Sequence, residues 1–242
     1  MSERRVILTG GSSGIGADVC RTLLAEGFEV INVALQPAGI TSPRLENVVL
    51  DLTDAAATRA KFLELAAAKA ATTLIHCAGA IRERPLEETT LEDLDALAHL
   101  HLGAALSLVQ ANLAAMKAAH YGRVVLVSTR AILGLAKRTA YSSTKAGLVG
   151  LARTWALELA PHGITVNVVA PGPIAETGMF HEVIPAGSAK LEAVARSIPV
   201  GRVGAPADVT RAILFFIRPE GSFITGQTLY VCGGTSVGSM VF

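Results

Sequence analysis

The sequence predicts an α/β fold: a single domain, residues 1–242, doubly wound around a seven-stranded parallel sheet with helices on both faces. Three observations carry this. Short β-branched runs alternate with longer Ala/Leu-rich stretches along the whole chain, the spacing of successive βαβ units. The strand candidates are continuous apolar runs, not alternating ones, as strands covered on both faces must be. The chain is 51% hydrophobic and 17% charged over 242 residues, enough apolar material for a large core and too much for a disordered chain.

The predicted strands are Arg5–Thr9, Glu29–Ala34, Asn47–Leu50, Thr73–His76, Arg123–Ser128, Thr165–Ala170 and Thr228–Val231. Each holds a Val/Ile/Leu-rich run. Between them lie predicted helices at Gly14–Glu26, Ala55–Ala70, Leu91–Ala119, Ala140–Ala160 and Ala207–Ile217. Several boundaries have a mechanism. Thr53 or Asp54 can cap the helix beginning near Ala55. Pro161 and Gly163 stop the helix that begins at Ala140. Pro206 suits the first turn of the last helix. The stretch of about 173–200 differs: it holds Pro173, Pro185 and Pro199 with Gly178 and Gly187, and no strand of its own. An insertion of this kind reads as a substrate lid.

Composition also excludes classes of function. The formal net charge is +1, and aromatic residues make up 5% of the chain. With no basic stripe interleaved with aromatics, no nucleic-acid partner is expected. No membrane is expected either: the longest apolar suspect, Ala104 to Ala119, carries Gln110, Asn112 and Lys117. The N-terminal apolar run Val6-Ile7-Leu8 is too short for an export signal. Cys20, Cys77 and Cys232 are far apart and lack metal-ligand spacing, which reads as reduced thiols of a cytoplasmic protein.

Thr9-Gly10-Gly11-Ser12-Ser13-Gly14-Ile15-Gly16 follows the first strand and opens the first helix. Glycines permit the tight turn and let backbone N–H groups approach a pyrophosphate, and the helix N-terminus adds partial positive charge. In this strand–turn–helix context the segment reads as a dinucleotide cradle in a Rossmann-like fold. Tyr141 and Lys145 form a second constellation, at i and i+4 near the start of a helix, on one face. A free phenol near pKa 10 is a poor acid/base at neutral pH, and a neighbouring ammonium favours the phenolate. Ser128 ends the strand before them, at the sheet edge where such folds place their ligands.

These motifs resemble the short-chain dehydrogenase/reductase family, and the resemblance runs through nearly the whole chain. Residues 9–16 match its Thr-Gly-x-x-x-Gly-x-Gly loop, and Tyr141-Ser142-Ser143-Thr144-Lys145 matches its Tyr-x-x-x-Lys. His76-Cys77-Ala78-Gly79 stands where the family has Asn-Asn-Ala-Gly. Asn167 to Gly172 matches Asn-x-x-x-Pro-Gly, and Phe223 to Gln227 with Cys232-Gly233-Gly234 matches the closing segment. The resemblance implies an NAD(P)-dependent oxidoreductase acting between CH–OH and C=O. Tyr141 would exchange the proton of the substrate oxygen and Ser128 would orient that oxygen. Lys145 would tune Tyr141 and hold the nicotinamide ribose. The implied cofactor contacts are Gly10, Ser12, Ser13, Gly14, Ile15, Gly16, Leu35, Asp51, Leu52, Ala78, Gly79, Tyr141, Lys145, Pro171, Gly172, Ile174 and Thr177. No metal is implied.

Several positions depart from the family pattern. His101 stands where the family has an asparagine that holds a relay water, so it reads either as an altered relay or as a structural histidine. Cys77 reads as a packed thiol. The segment Pro171 to Thr177 places its threonine one residue late. At the end of the second strand, Asn32 to Pro37 offers neither the acid that selects NAD nor the arginine that selects NADP. The missing acid leans toward NADP. Arg44, the only cation of the following loop, reads either as a phosphate ligand or as a surface residue. Asp51 reads as an adenine contact, a helix cap, or both.

The expected pocket walls, Ala131 to Ala136 and Thr177 to Ile184, are mainly apolar, which points to a small apolar or alicyclic hydroxy/keto substrate. A 3-oxoacyl thioester is the alternative; no arginine cluster marks a carrier-protein dock, though Arg130, Lys137 and Arg138 form a scatter compatible with one. The apolar tail Thr235–Phe242 and the family's habit imply a homotetramer, or a homodimer. A rival of another class is a nucleotide-binding sensor or scaffold with weak catalysis, motivated by His101 and the altered Asn-Asn-Ala-Gly motif. The intact Ser128, Tyr141 and Lys145 count against it.

Overall fold

The computed structural model describes residues 4–175 and 188–237. Thr177, with the rest of residues 176–187 of the expected lid, and the end of the tail therefore lie outside the described residues. The element order is β1 (Arg5–Thr9), α1 (Gly14–Ala25), β2 (Glu29–Ala34), β3 (Leu45–Val49), α2 (Ala55–Lys69), β4 (Thr73–His76), α3 (Leu91–Ala98), a π turn (His99–Gly103), α4 (Ala104–Ala119), β5 (Gly122–Val127), α5 (Thr139–Leu159), β6 (Ile164–Pro171), α6 (Ala189–Ser197), α7 (Pro206–Ile217) and β7 (Thr228–Val231).

The seven strands form one parallel sheet in the order β3-β2-β1-β4-β5-β6-β7. Alternate residues of each buried strand enter opposite layers. Ile7, Leu74, Leu126 and Val168 join one core with Phe62 of α2, Leu108 of α4 and Leu148 of α5. Leu8, Ile75, Val125 and Val169 join the other with Leu23 of α1 and Ile213 of α7. This is why the strands read as unbroken apolar runs. The edge strand β3 is only half covered.

The predicted strands are all present, four with the predicted bounds; the ends of β3, β5 and β6 move by one or two residues, β3 beginning at Leu45 instead of Asn47. Of the two capping candidates, Asp54 caps α2, accepting from the Ala57 amide at 2.9 Å and contributing about 1 kcal/mol. Asp51 is therefore not the helix cap; it accepts from the Thr53 amide at 2.9 Å and the Thr53 hydroxyl at 2.8 Å.

Two features differ from expectation. The predicted helix Leu91–Ala119 is interrupted by the π turn at His99–Gly103. By length and hydropathy this 29-residue stretch also passes the test for a membrane-crossing helix, which the shorter segment Ala104 to Ala119 did not. Here it serves as a core helix: Leu97, Ala104, Leu108 and Met116 pack on the sheet, and Asn112 accepts from the Ala71 amide at 3.0 Å. The lid stretch also holds an unpredicted helix, α6, whose Ser188 cap accepts from the Leu191 amide at 3.2 Å. The prolines and glycines around it mask its short period.

Candidate active site

The strand order reverses at β1, so the carboxyl ends of β1 and β4 open a crevice at the switch point. The glycine loop sits there. Gly10 has φ +76°, and a β-carbon on it would lie 2.8 Å from the backbone of Ala78. A β-carbon on Gly16 would lie 2.0 Å from the Gly10 carbonyl oxygen. The N-cap of α1, Ser13, makes no side-chain cap bond and the first turn holds no acid. The helix end is thus left open to an anion. A buried asparagine braces the loop: Asn32 Oδ1 accepts from the Gly11 amide at 2.8 Å, and its amide nitrogen donates to Asn47 at 2.9 Å. The Ser12 hydroxyl donates to the Gln36 carbonyl. Dinucleotide pyrophosphate fits this cradle.

Ser128, Tyr141 and Lys145 come together at the carboxyl end of β5. Ser128 lies just past the strand, its amide donating to the Val169 carbonyl at 2.8 Å. Its hydroxyl donates to the backbone carbonyl of Lys145 at 2.8 Å. Lys145 is buried and its Nζ donates to the Val127 carbonyl at 2.8 Å. Burial lowers its pKa to about 8. Tyr141 is also buried, and burial raises its phenol pKa, partly offset by a hydrogen bond with the Thr129 side chain. The expected lowering of the Tyr141 pKa by Lys145 is not what dominates here. Desolvation is the largest cause, the Thr129 bond and then the Arg138 charge oppose it, and the Lys145 ammonium is held at Val127.

His101 lies in the π turn, fully buried, with its ring edge-on to Tyr141 at 5.8 Å between centroids. Its Nδ1 is 2.9 Å from the Thr144 hydroxyl. Gly79 faces both basic groups: a β-carbon there would lie 3.1 Å from Lys145 Nζ and 3.3 Å from His101 Nε2. On the far side of the crevice, Gly172 runs so close to β7 that a β-carbon would meet Cys232 at 2.8 Å. Ile174 is buried, and the flanking Ala175 amide donates to the Gly204 carbonyl at 2.8 Å.

Residues 10–236 match the family model described as Enoyl-(Acyl carrier protein) reductase. The short-chain reductase protein NovJ of Streptomyces niveus is 32% identical, covering 96% of this chain and 94% of its own. The 3-oxoacyl-[acyl-carrier-protein] reductase FabG of Salmonella typhimurium is also 32% identical, covering 94% and 95%. A solved structure of a putative NAD(P) dependent gluconate 5-dehydrogenase from Beutenbergia cavernae superposes with a TM-score of 0.89 at 30% identity, covering 98% of each chain. The chain belongs to the short-chain dehydrogenase/reductase family. It is an NAD(P)-dependent oxidoreductase acting between CH–OH and C=O groups.

Within this short-chain dehydrogenase/reductase the adenosine end of the site is sparse. Leu35 is exposed at the end of β2, Leu52 is buried, and Asp51 is exposed with its pKa lowered by the Thr53 bonds. Arg44 does not reach this end. It directly precedes β3, its carbonyl accepting from the Val30 amide at 2.8 Å, and its side chain lies toward Gly27 at the amino edge of the sheet. The phosphate-ligand reading of Arg44 is thus corrected. Three polar residues of the site were not anticipated: Asn32, Thr129 and His76 as a buried partner of Thr9. Asn32 and His76 stood out only as polar residues in apolar strands; Thr129 carried no signal.

Proposed function

We propose that this enzyme interconverts the alcohol and carbonyl forms of a small apolar or alicyclic compound. The observation that carries this is the gathering of Ser128, Tyr141 and Lys145 beside an apolar wall. Leu97, Ala131, Ala140 and Tyr141 cluster together with Ile81 and Leu100 against them, and Leu133 and Leu135 are exposed nearby.

The bound nicotinamide supplies or accepts the hydride. Tyr141 gives its phenolic proton to the substrate oxygen in reduction and takes the alcohol proton in oxidation. Ser128 turns its hydroxyl from the Lys145 carbonyl onto that oxygen and polarises it. Lys145 holds the nicotinamide ribose hydroxyls and, once charged, favours the phenolate of Tyr141. Gly10, Ser12, Ser13, Gly14, Ile15 and Gly16 hold the pyrophosphate. Leu35, Asp51, Leu52, Ala78 and Gly79 line the adenosine, and Pro171, Gly172 and Ile174 the nicotinamide end; the expected contact at Thr177 lies outside the described residues. The missing acid at the end of β2 supports NADP over NAD.

A 3-oxoacyl thioester is the second substrate reading. The names of relatives favour it: FabG, and an acetoacetyl-CoA reductase of Acinetobacter that is 30% identical over 97% of this chain. Assays of NADPH and NADH oxidation against cyclic ketones, diketones and 3-oxoacyl thioesters separate the two. Leu106 on α4, Leu157 on α5 and Phe223 are exposed and support a homotetramer or homodimer. The unpaired thiols of Cys20, Cys77 and Cys232 fit a cytoplasmic setting.

A further inference from the structure

The charged residue nearest in sequence to Tyr141 is Arg138, the N-cap residue of α5, three positions ahead of it. Its carbonyl accepts from the Ser142 amide at 2.7 Å, which fixes it to the first turn. Its guanidinium is buried, 8% exposed, and pairs with the half-exposed carboxylate of Glu83 at 2.7 Å. Arg138 Nη1 also donates to the Lys137 carbonyl at 3.3 Å.

Glu83 is delivered by a strap, residues 81–84, that follows β4. Its side chains alternate, as in an extended chain. Arg82 and Arg84 both reach the buried carboxylate of Asp93 in α3, at 2.7 Å and 2.9 Å, while Glu83 between them reaches Arg138. Asp93 is held in turn by the capping box with Thr90. The backbones of Arg84 and Arg138 pair as a short parallel bridge, and the Arg84 amide donates to the Lys137 carbonyl at 3.2 Å. Ile81, at the head of the strap, packs against the cluster that contains Tyr141. Both ends of the ion pair are thus tethered to the surroundings of Tyr141, Glu83 two residues beyond Ile81 and Arg138 three residues before the tyrosine.

The two charges do not cancel at Tyr141. Water screens the half-exposed Glu83 carboxylate, and it screens the buried guanidinium much less. A net positive field is left, and the Arg138 charge pulls the phenol down against the upward push of burial. The Lys145 ammonium is meanwhile turned to the Val127 carbonyl. We propose that Arg138 and Glu83 are positioning residues acting through Tyr141: Arg138 is the cation that the phenol faces before coenzyme binds, and Glu83 holds that cation in place and tempers its charge. This rests on the reading of Tyr141 as the acid/base. The groups facing Tyr141 are Arg138 and Lys145 from α5, Thr129 after β5, Cys77 after β4 and His101 from the π turn. Lys137 and Lys190 of α6 also face Glu83. The Arg138 bond, first among these, holds the Glu83 carboxyl below the usual carboxylate range, so the pair stays charged at neutral pH.

Carbon-13 NMR of protein labelled at tyrosine Cζ reads the phenol without coenzyme or substrate. The chain has three tyrosines, Tyr121, Tyr141 and Tyr230, and the Tyr141 signal is assigned by its loss in Tyr141→Phe. Arg138→Gln is expected to raise the Tyr141 midpoint by about half a pH unit or more. Arg138→Lys, which keeps the charge and gives up the fork, brings it back toward wild type. Glu83→Gln moves it the other way, to lower pH. Tyr121 and Tyr230 hold their midpoints in all three variants. In turnover, the rising limb of kcat/KM against pH for alcohol oxidation moves with the same signs, and the coenzyme KM stays the same. A strap that only braced the loop would lower stability in every variant without shifts that follow charge. An Arg138→Gln midpoint equal to that of wild type, or a Glu83→Gln midpoint no lower than that of wild type, overturns the proposal. Since the NMR measurement needs no turnover, failure to find a substrate bears only on the proposed function.

Discussion

The Ser128 hydroxyl donates to the backbone carbonyl of Lys145 at 2.8 Å. The residue proposed to polarise the substrate is thus tied to the chain segment that carries the ammonium. Substrate binding has to redirect one proton, from Lys145 O to the substrate oxygen. Ser128→Ala is expected to lower kcat about 100-fold or more, the scale of losing one polarising donor. Coenzyme affinity stays the same, as a binding titration with NADPH will show. Equal loss of coenzyme binding would mean that Ser128 is a scaffold residue.

The coenzyme-selecting end of β2 has an exposed Leu35 and no charge within the segment Asn32 to Pro37. Leu35→Asp places a carboxylate where it meets the ribose hydroxyls of NADH and repels the 2′-phosphate of NADPH. The ratio of kcat/KM for NADH over NADPH should rise about tenfold or more, a change of at least about 1.4 kcal/mol. Arg44→Ala, at the opposite edge of the sheet, should leave that ratio unchanged.

Glycine substitutions separate cradle from scaffold. Gly16→Ala forces a β-carbon to within 2.0 Å of the Gly10 carbonyl, a backbone atom that cannot swing away. Stability should fall by about 1–3 kcal/mol, and coenzyme affinity with it. Gly150 lies in α5 with nothing within 4 Å of an added β-carbon. Gly150→Ala should stabilise the protein by about 0.5–1 kcal/mol. Thermal denaturation with and without NADPH measures both.

The buried neutral imidazoles make the protein acid-labile. His76 and His101 have folded pKa values depressed below that of a free imidazole. Below about pH 6.5 the unfolded chain takes up protons that the folded chain refuses, so stability falls as pH falls. Each residue adds a slope of about 1.4 kcal/mol per pH unit between about 6.5 and its folded value. Urea unfolding at pH 7 and pH 5 should show the loss, and His101→Asn should remove about half of the part due to these two residues.

The sheet was legible because both its faces are covered, which leaves strands apolar throughout and easy to tell from Ala-rich helices. The glycine loop, Ser128, Tyr141 and Lys145 were legible because each needs a fixed spacing from a strand end. The π turn was not: one extra residue in a 29-residue helix barely disturbs its apolar period. Asn32 was hidden because its role depends on a contact with Gly11 across the sheet end. The place of Arg44 was legible in principle. A parallel β3 must start at the amino edge, so the residue preceding it lies opposite to the cofactor. Whether burial or Lys145 governs Tyr141 depended on where Nζ points, and no spacing fixes that.

The central claim is that Tyr141 is the acid/base of a nicotinamide-dependent oxidoreductase. The direct test follows NADPH oxidation by wild type and Tyr141→Phe against the ketone and thioester panel, with coenzyme binding titrated in parallel. The account predicts turnover by wild type, a loss of about 1,000-fold or more in the variant, and equal coenzyme affinity. Coenzyme binding by both proteins with no turnover by either, in either direction, would contradict it and leave a nucleotide-binding sensor as the better description.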